Sequence, residues 1–136
     1  MTMNTVVGAR ATMDAYLAAL VARQPYADFF TNDAELVLMS GGQTVRSRDA
    51  VASTIRFLHE QAFDGYPELV SLVVDGDRAA LEAEFVGRHV GEFAGIAPTG
   101  RAFRVPYSVH YALEGDRIAK LSIYGLAADL KAALTP

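Results

Sequence analysis

Cysteine is absent from the 136 residues, which excludes disulfides, thiolate zinc sites and cysteine nucleophiles. It also removes redox chemistry as a guide to compartment. Long apolar runs are missing too. No stretch approaches the ~20 residues of a membrane span, and the opening MTMNTVVGARATMD meets Arg10 and Asp14 before any run of signal-peptide length develops. The sequence therefore predicts a cytoplasmic protein with no membrane partner. Charge of one sign never accumulates: 12 basic and 16 acidic residues, net -4, are interspersed, so no basic face for nucleic acid is evident. His59, His89 and His110 share no metal-ligand spacing, so no metal is assigned. Neither a Gly-x-Ser-x-Gly elbow nor a phosphate loop nor a dinucleotide fingerprint is present, and no cofactor is assigned.

What is abundant is apolar side chain, 51% of the residues. In so short a chain that excess needs a generous core, a ligand cavity or a subunit interface. The length suits one domain over residues 1–136, large enough to hold a core unaided. Val6, Ala9, Met13, Tyr16, Leu17 and Leu20 recur at helical spacing, with Asn4 or Thr5 as cap and Pro25 beyond the end. Tyr26–Phe30 reads as a short helical turn, Ala34–Ser40 as a strand and Gln43–Ser47 as a short return. Ser47 caps a second helix running to about Phe63, closed by Asp64-Gly65-Tyr66-Pro67. From there the period is two, with strands over 69–74, 78–90, 103–113 and 117–124 and turns at Asp75-Gly76-Asp77 and Glu114-Gly115-Asp116. A last helix spans 127–134. Helices ahead of an antiparallel meander imply an α+β domain with helices on one sheet face. Alternation puts Leu81, Ala83, Phe85, Gly87 and His89 on one face of their strand, and Phe103, Val105, Tyr107, Val109 and Tyr111 on one face of the next.

The segment from Gly87 to Gly100 carries Gly87, His89, Gly91, Phe93, Gly95, Pro98, Thr99 and Gly100 in the spacing Gly-x-His-x-Gly-x-Phe-x-Gly-x-x-Pro-Thr-Gly. It resembles the signature of SnoaL-like polyketide cyclases. Gly115-Asp-Arg-Ile118 is similar to that family's turn into its final strand, and Ser47-Arg-Asp-Ala-Val51 stands where relatives open their second helix. The resemblance implies a cone-shaped fold, shared with nuclear transport factor two, ketosteroid isomerase and scytalone dehydratase. In it a curved antiparallel sheet wraps N-terminal helices around a pocket, and the unit is usually a homodimer. The family's catalytic aspartate, eight residues past the isoleucine, falls here on Leu126, which cannot take a proton; its tryptophan falls on Ser122, and Asp129 lies three residues further on. A second resemblance links Tyr16-Leu-Ala-Ala-Leu20 to the first helix of ketosteroid isomerases, where a tyrosine donates to an oxyanion. Their base aspartate falls near Leu38 and is absent.

Two readings of His89 stand: an acid or base for enolisation beside a carbonyl, or a buried histidine bonded to the Pro98-Thr99 loop. Tyr16 or Tyr124 is the expected oxyanion donor. Phe30, Met39, Phe85, Phe93, Tyr107, Val109, Tyr111 and Leu126 are expected to line the pocket. His110 is assigned to the outer or dimer-facing side, and His59 to solvent. Asp28 and Glu35 are the acids nearest the expected mouth, and Arg101 and Arg104 are candidates for an anionic substrate. Together these features predict an enzyme that abstracts a proton next to the carbonyl of a small apolar compound, leading to cyclisation, isomerisation or elimination. The alternative is a non-catalytic ligand-binding or dimerisation module.

Overall fold

The structure, a computed structural model, describes residues 2–135, with side chains from position 8. Helix α1 (Thr2–Ala22) already includes Asn4 and Thr5, so neither caps it; their side chains and that of Val6 lie outside the described residues. Its inward stripe is Ala9, Met13, Tyr16 and Leu20, all buried. The helix stops in a left-handed residue, Arg23 at φ 58°, with the Gln24 amide donating to the Ala19 carbonyl at 3.0 Å, and Pro25 follows. Thr12 donates to the Asp116 carbonyl at 2.8 Å, which ties the helix to a hairpin turn more than a hundred residues away.

After a 3-10 turn at Ala27–Phe29 come β1 (Phe30–Leu38), β2 (Gln43–Arg46) and helix α2 (Arg48–Arg56). Ser47 caps α2 as expected, accepting from the Ala50 amide at 3.2 Å. The helix then widens into a π-turn over Phe57–Gln61, where the Ala62 amide reaches the Phe57 carbonyl at 2.8 Å. The meander follows as β3 (Phe63–Asp75), β4 (Arg78–His89), β5 (Ala102–Glu114) and β6 (Arg117–Tyr124), and α3 (Ala127–Leu134) ends the fold.

The six strands form one sheet in the order β2-β1-β6-β5-β4-β3. The meander is antiparallel throughout, and β1 joins it parallel to β6, pairing Leu36 with Leu121 and Leu38 with Ile123, so the sheet is mixed. Strand β3 begins six residues earlier than alternation suggested. The expected break at Asp64–Pro67 pairs in register with β4, Gly65 opposite Gly87 and Pro67 opposite Phe85. Proline is tolerated there because β3 is an edge strand and needs no outward amide.

Helices cover one sheet face, and the core lies between them. Leu81, Ala83 and Phe85 of β4 and Val105, Val109 and Tyr111 of β5 point into it, as the alternation required. Strand β6 departs from strict alternation. Its register slips where Ala112 and Leu113 of β5 meet Lys120 and Ile118, so Ile118, Leu121 and Ile123 are all buried while Tyr124 turns outward.

Candidate functional site

The interior of the cone closes on a small cavity of about 30 Å³, room for roughly one water. Its polar groups come from three elements. Tyr16 projects from α1, Tyr107 and Tyr111 from β5, and His59 from the π-turn. Leu20, Ile55, Leu58, Leu81, Phe85, Val109, Leu121, Ile123 and Leu126 complete its walls. Beyond Leu58 and Leu126 the wall opens onto an apolar groove of about 450 Å³, bordered by Leu38, Phe57, Phe93 and the start of α3. Leu58 and Leu126 line both spaces, so they separate the cavity from the groove. Larger hollows lie on the outer sheet face; the interior is distinguished by its convergent polar groups rather than by its size.

Tyr16 is held by rings on several sides: Phe30 at 5.5 Å between centroids, Phe29 at 5.9 Å and Tyr111 at 6.3 Å. Burial pushes its phenol well above the ordinary tyrosine range, and the neighbouring phenols of Tyr111, Tyr107 and Tyr26 push it the same way. Tyr107 and Tyr111 are raised by burial too. All three therefore stay protonated at any ordinary pH and present O–H donors to an apolar space.

The two inner histidines hold opposite protons. Nδ1 of His59 lies 2.8 Å from the Ile55 carbonyl, which can only accept, so Nδ1 carries the hydrogen. Its Nε2 is then a bare acceptor, buried without a partner. Burial holds the imidazole down at about 4, against the opposing Ile55 bond and with some help from Arg23. The ring meets the Phe85 ring at 5.1 Å between centroids. His89 is the reverse case. The Thr99 amide donates to its Nδ1 at 3.1 Å, so the hydrogen sits on Nε2, which also lacks a partner. Thr99 Oγ1 lies 3.0 Å from the same Nδ1 and accepts from the Arg101 amide. His89 packs on Phe63 and does not border the cavity.

Several expected site residues lie elsewhere. Tyr124 is on the outer face, beside His110 at 5.1 Å between ring centroids, because the β6 irregularity reverses its side. Met39, one residue past β1, is exposed, and Phe30 is core packing for Tyr16. Phe93 borders the groove rather than the cavity. Asp28 and Asp129 are exposed, Glu35 is paired with Arg46 at 2.9 Å, and Arg104 bridges Glu68 and Glu84 on the outer face. Arg101 is exposed. His110 is on the outer face as expected. His59 is the residue that sequence reading missed, having been assigned to solvent. The signal was there: it follows by four the buried Ile55 of α2, one helical turn on.

The sequence profile of SnoaL-like polyketide cyclases matches residues 12–128. The chain belongs to the SnoaL-like polyketide cyclase family. Solved structures agree on the fold. A SnoaL-like polyketide cyclase-type protein of Jannaschia sp. CCS1 is 18% identical, with 97% of this chain and 96% of that one covered at a TM-score of 0.84. A polyketide cyclase-type protein of Xanthomonas campestris pv. campestris is 17% identical over 96% and 99%, at 0.83. TsrD of Streptomyces laurentii is 25% identical over 94% and 95%, at 0.77. No curated protein matches the sequence. This SnoaL-like architecture carries small-molecule enzymes and binding modules alike. Leu126 closes one wall of the cavity with an apolar side chain. No described helix is long and apolar enough to cross a membrane.

Proposed function

We propose that this SnoaL-like protein enolises a small, mostly apolar carbonyl compound, which then cyclises, isomerises or eliminates. The observation that carries the reading is the trio Tyr16, Tyr107 and Tyr111, three protonated phenols lining one apolar cavity. A carbonyl oxygen gains negative charge as the neighbouring C–H bond breaks. O–H donors fixed beforehand in a low-dielectric site stabilise that charge more than they stabilise the neutral ketone. The empty space now present is far smaller than any such substrate. The ligand therefore enters from the groove, displaces Leu58 and Leu126, and leaves its apolar body against Leu38, Phe57 and Phe93. In this reading His89 acts through Thr99, holding the loop that carries Phe93 at the groove.

The test is exchange of the α-hydrogens of 2-tetralone in deuterated buffer, followed by proton NMR. The wild-type protein is expected to accelerate exchange above the buffer rate, and Tyr16→Phe to lower that acceleration roughly a hundredfold, the typical effect of deleting one oxyanion donor. Exchange at the buffer rate with wild-type protein would sink the enzymatic reading. A second reading, ligand binding without chemistry, draws on the groove being some fifteen times roomier than the cavity. It requires 2-tetralone to bind without any exchange.

A further inference from the structure

The enolisation just described needs a proton acceptor, and the position that relatives use for one is occupied here by Leu126. Carboxylates do not replace it, since no aspartate or glutamate among the described residues borders the cavity. His89 is not placed to serve: its Nδ1 is occupied by the Thr99 amide, its Nε2 already bears the hydrogen, and the ring lies outside the cavity walls.

We propose that His59 is the proton acceptor of this site, taking the proton through Nε2. The proposal rests on the reading of the tyrosine cavity above and adds to it the residue that does the abstraction. Four observations converge. The Ile55 carbonyl fixes the hydrogen on Nδ1, so the lone pair of Nε2 has a set direction rather than a choice of tautomers. Nε2 is buried with no partner, and of the four such side-chain atoms among the described residues it is the one whose residue borders the cavity. The ring borders the same cavity as the three phenols. The backbone bearing it is a π-turn, a local widening that often marks functional positions in helices.

The step balances without an oxidant or reductant. Nε2 forms an N–H bond with the substrate's α-hydrogen, and the C–H electron pair becomes the C=C bond of the enolate. The carbonyl π pair moves onto the oxygen, which the phenols hold. The His59 imidazolium then returns the proton to another atom of the same substrate, or loses it with the leaving group. Desolvation weakens the free imidazole as a base, but the adjoining enolate charge offsets that cost as it develops. Charged and titratable groups near the ring are few: Tyr16 from α1, Arg23 just past its end, Tyr107 and Tyr111 from β5, and Glu60 beside it in the chain.

The experiment has two probes. Long-range proton–nitrogen NMR of the free protein should show His59 neutral with hydrogen on Nδ1. Titration with 2-naphthol, an apolar bicycle whose hydroxyl can donate to Nε2 and accept from a phenol, should shift the Nε2 resonance. His59→Phe is expected to weaken naphthol binding roughly tenfold, the loss of one buried hydrogen bond. His59→Gln keeps a neutral acceptor, so naphthol should still bind within a few-fold while 2-tetralone exchange falls to the buffer rate. That split separates proton transfer from a merely structural part. Hydrogen on Nε2 in the free protein would overturn the proposal, as would exchange persisting in His59→Gln. If naphthol binding is lost in Tyr16→Phe but unchanged in His59→Phe, the tyrosine reading stands and the His59 proposal falls. If the reverse holds, the tyrosine reading falls, and the His59 proposal that rests on it falls too. Absence of naphthol binding to wild-type protein would end both.

Discussion

At the scale of single residues, two histidines of one interior differ in a property that the sequence does not display, which ring nitrogen carries the hydrogen. Each is decided by one backbone group, the Ile55 carbonyl for His59 and the Thr99 amide for His89. The consequence for stability is signed. His59 titrates near 4 in the folded chain and near 6.5 when exposed. As pH falls through 6.5 the unfolded chain takes up a proton that the folded one refuses, so stability drops between about pH 6.5 and 4 and changes no further from this group below that. The loss is on the order of 3 kcal/mol. Urea midpoints at pH 7 and pH 4.5 should diverge more in the wild type than in His59→Phe. An equal divergence would mean that the ring is solvated and that its Nε2 reaches water.

At the scale of elements, the motif glycines have separate tasks. A Cβ on Gly87 would stand 2.6 Å from Gly65 Cα and closer still to the Asp64 carbonyl; one on Gly91 would strike the Gln61 carbonyl. These two let β3 and the π-turn lie against the end of β4, which holds His59 and Phe63 in place. Gly95 serves the turn instead. Ala94 and Gly95 both have positive φ, and Phe93 and Ile96 exchange backbone hydrogen bonds of 3.0 and 2.8 Å across them, a two-residue hairpin that presents Phe93. Gly87→Ala should therefore lower stability by about 1–3 kcal/mol through backbone overpacking, whereas Gly41→Ala, which has open space around it, should be nearly neutral. Thermal unfolding of the pair checks this; equal melting temperatures would show that β3 and β4 can separate locally at no cost.

At the scale of the whole molecule, one sheet face is covered by helices and the other is bare. A row of Val73, Ala80, His110 and Ser122 runs across four strands of the bare face. Val73 and Tyr124 are exposed at its borders, and Arg104 binds Glu68 and Glu84 at one side. A shallow, half-polar face with no helix over it suits a second copy of the same face related by a two-fold axis. The expected outcome is a homodimer by light scattering at tens of micromolar, twice the 14.6 kDa chain, with Tyr124→Asp shifting it toward monomer. A monomer mass for the wild type would reject the interface.

Much of this was legible in the residues themselves. The helix stripe of α1, the Ser47 cap, the bounds of β6 and α3 and the inward rows of β4 and β5 follow from periodicity, because burial on one face of a regular element leaves a period in the chain. The eight-residue signature identified the family. Only the tertiary structure decided the site. The irregularity in β6 put Tyr124 outside, since a single slipped residue reverses every later side chain. Pairing with β4 drew Asp64–Pro67, a turn by composition, into an edge strand. The π-turn brought His59 inward, and contacts with Ile55 and Thr99 set the two tautomers. The strand pairings and the Thr99 contact depend on where a distant backbone group lies, and local spacing carries no record of that; His59 is set within its own turn, and its spacing from Ile55 is the one trace of it in the sequence.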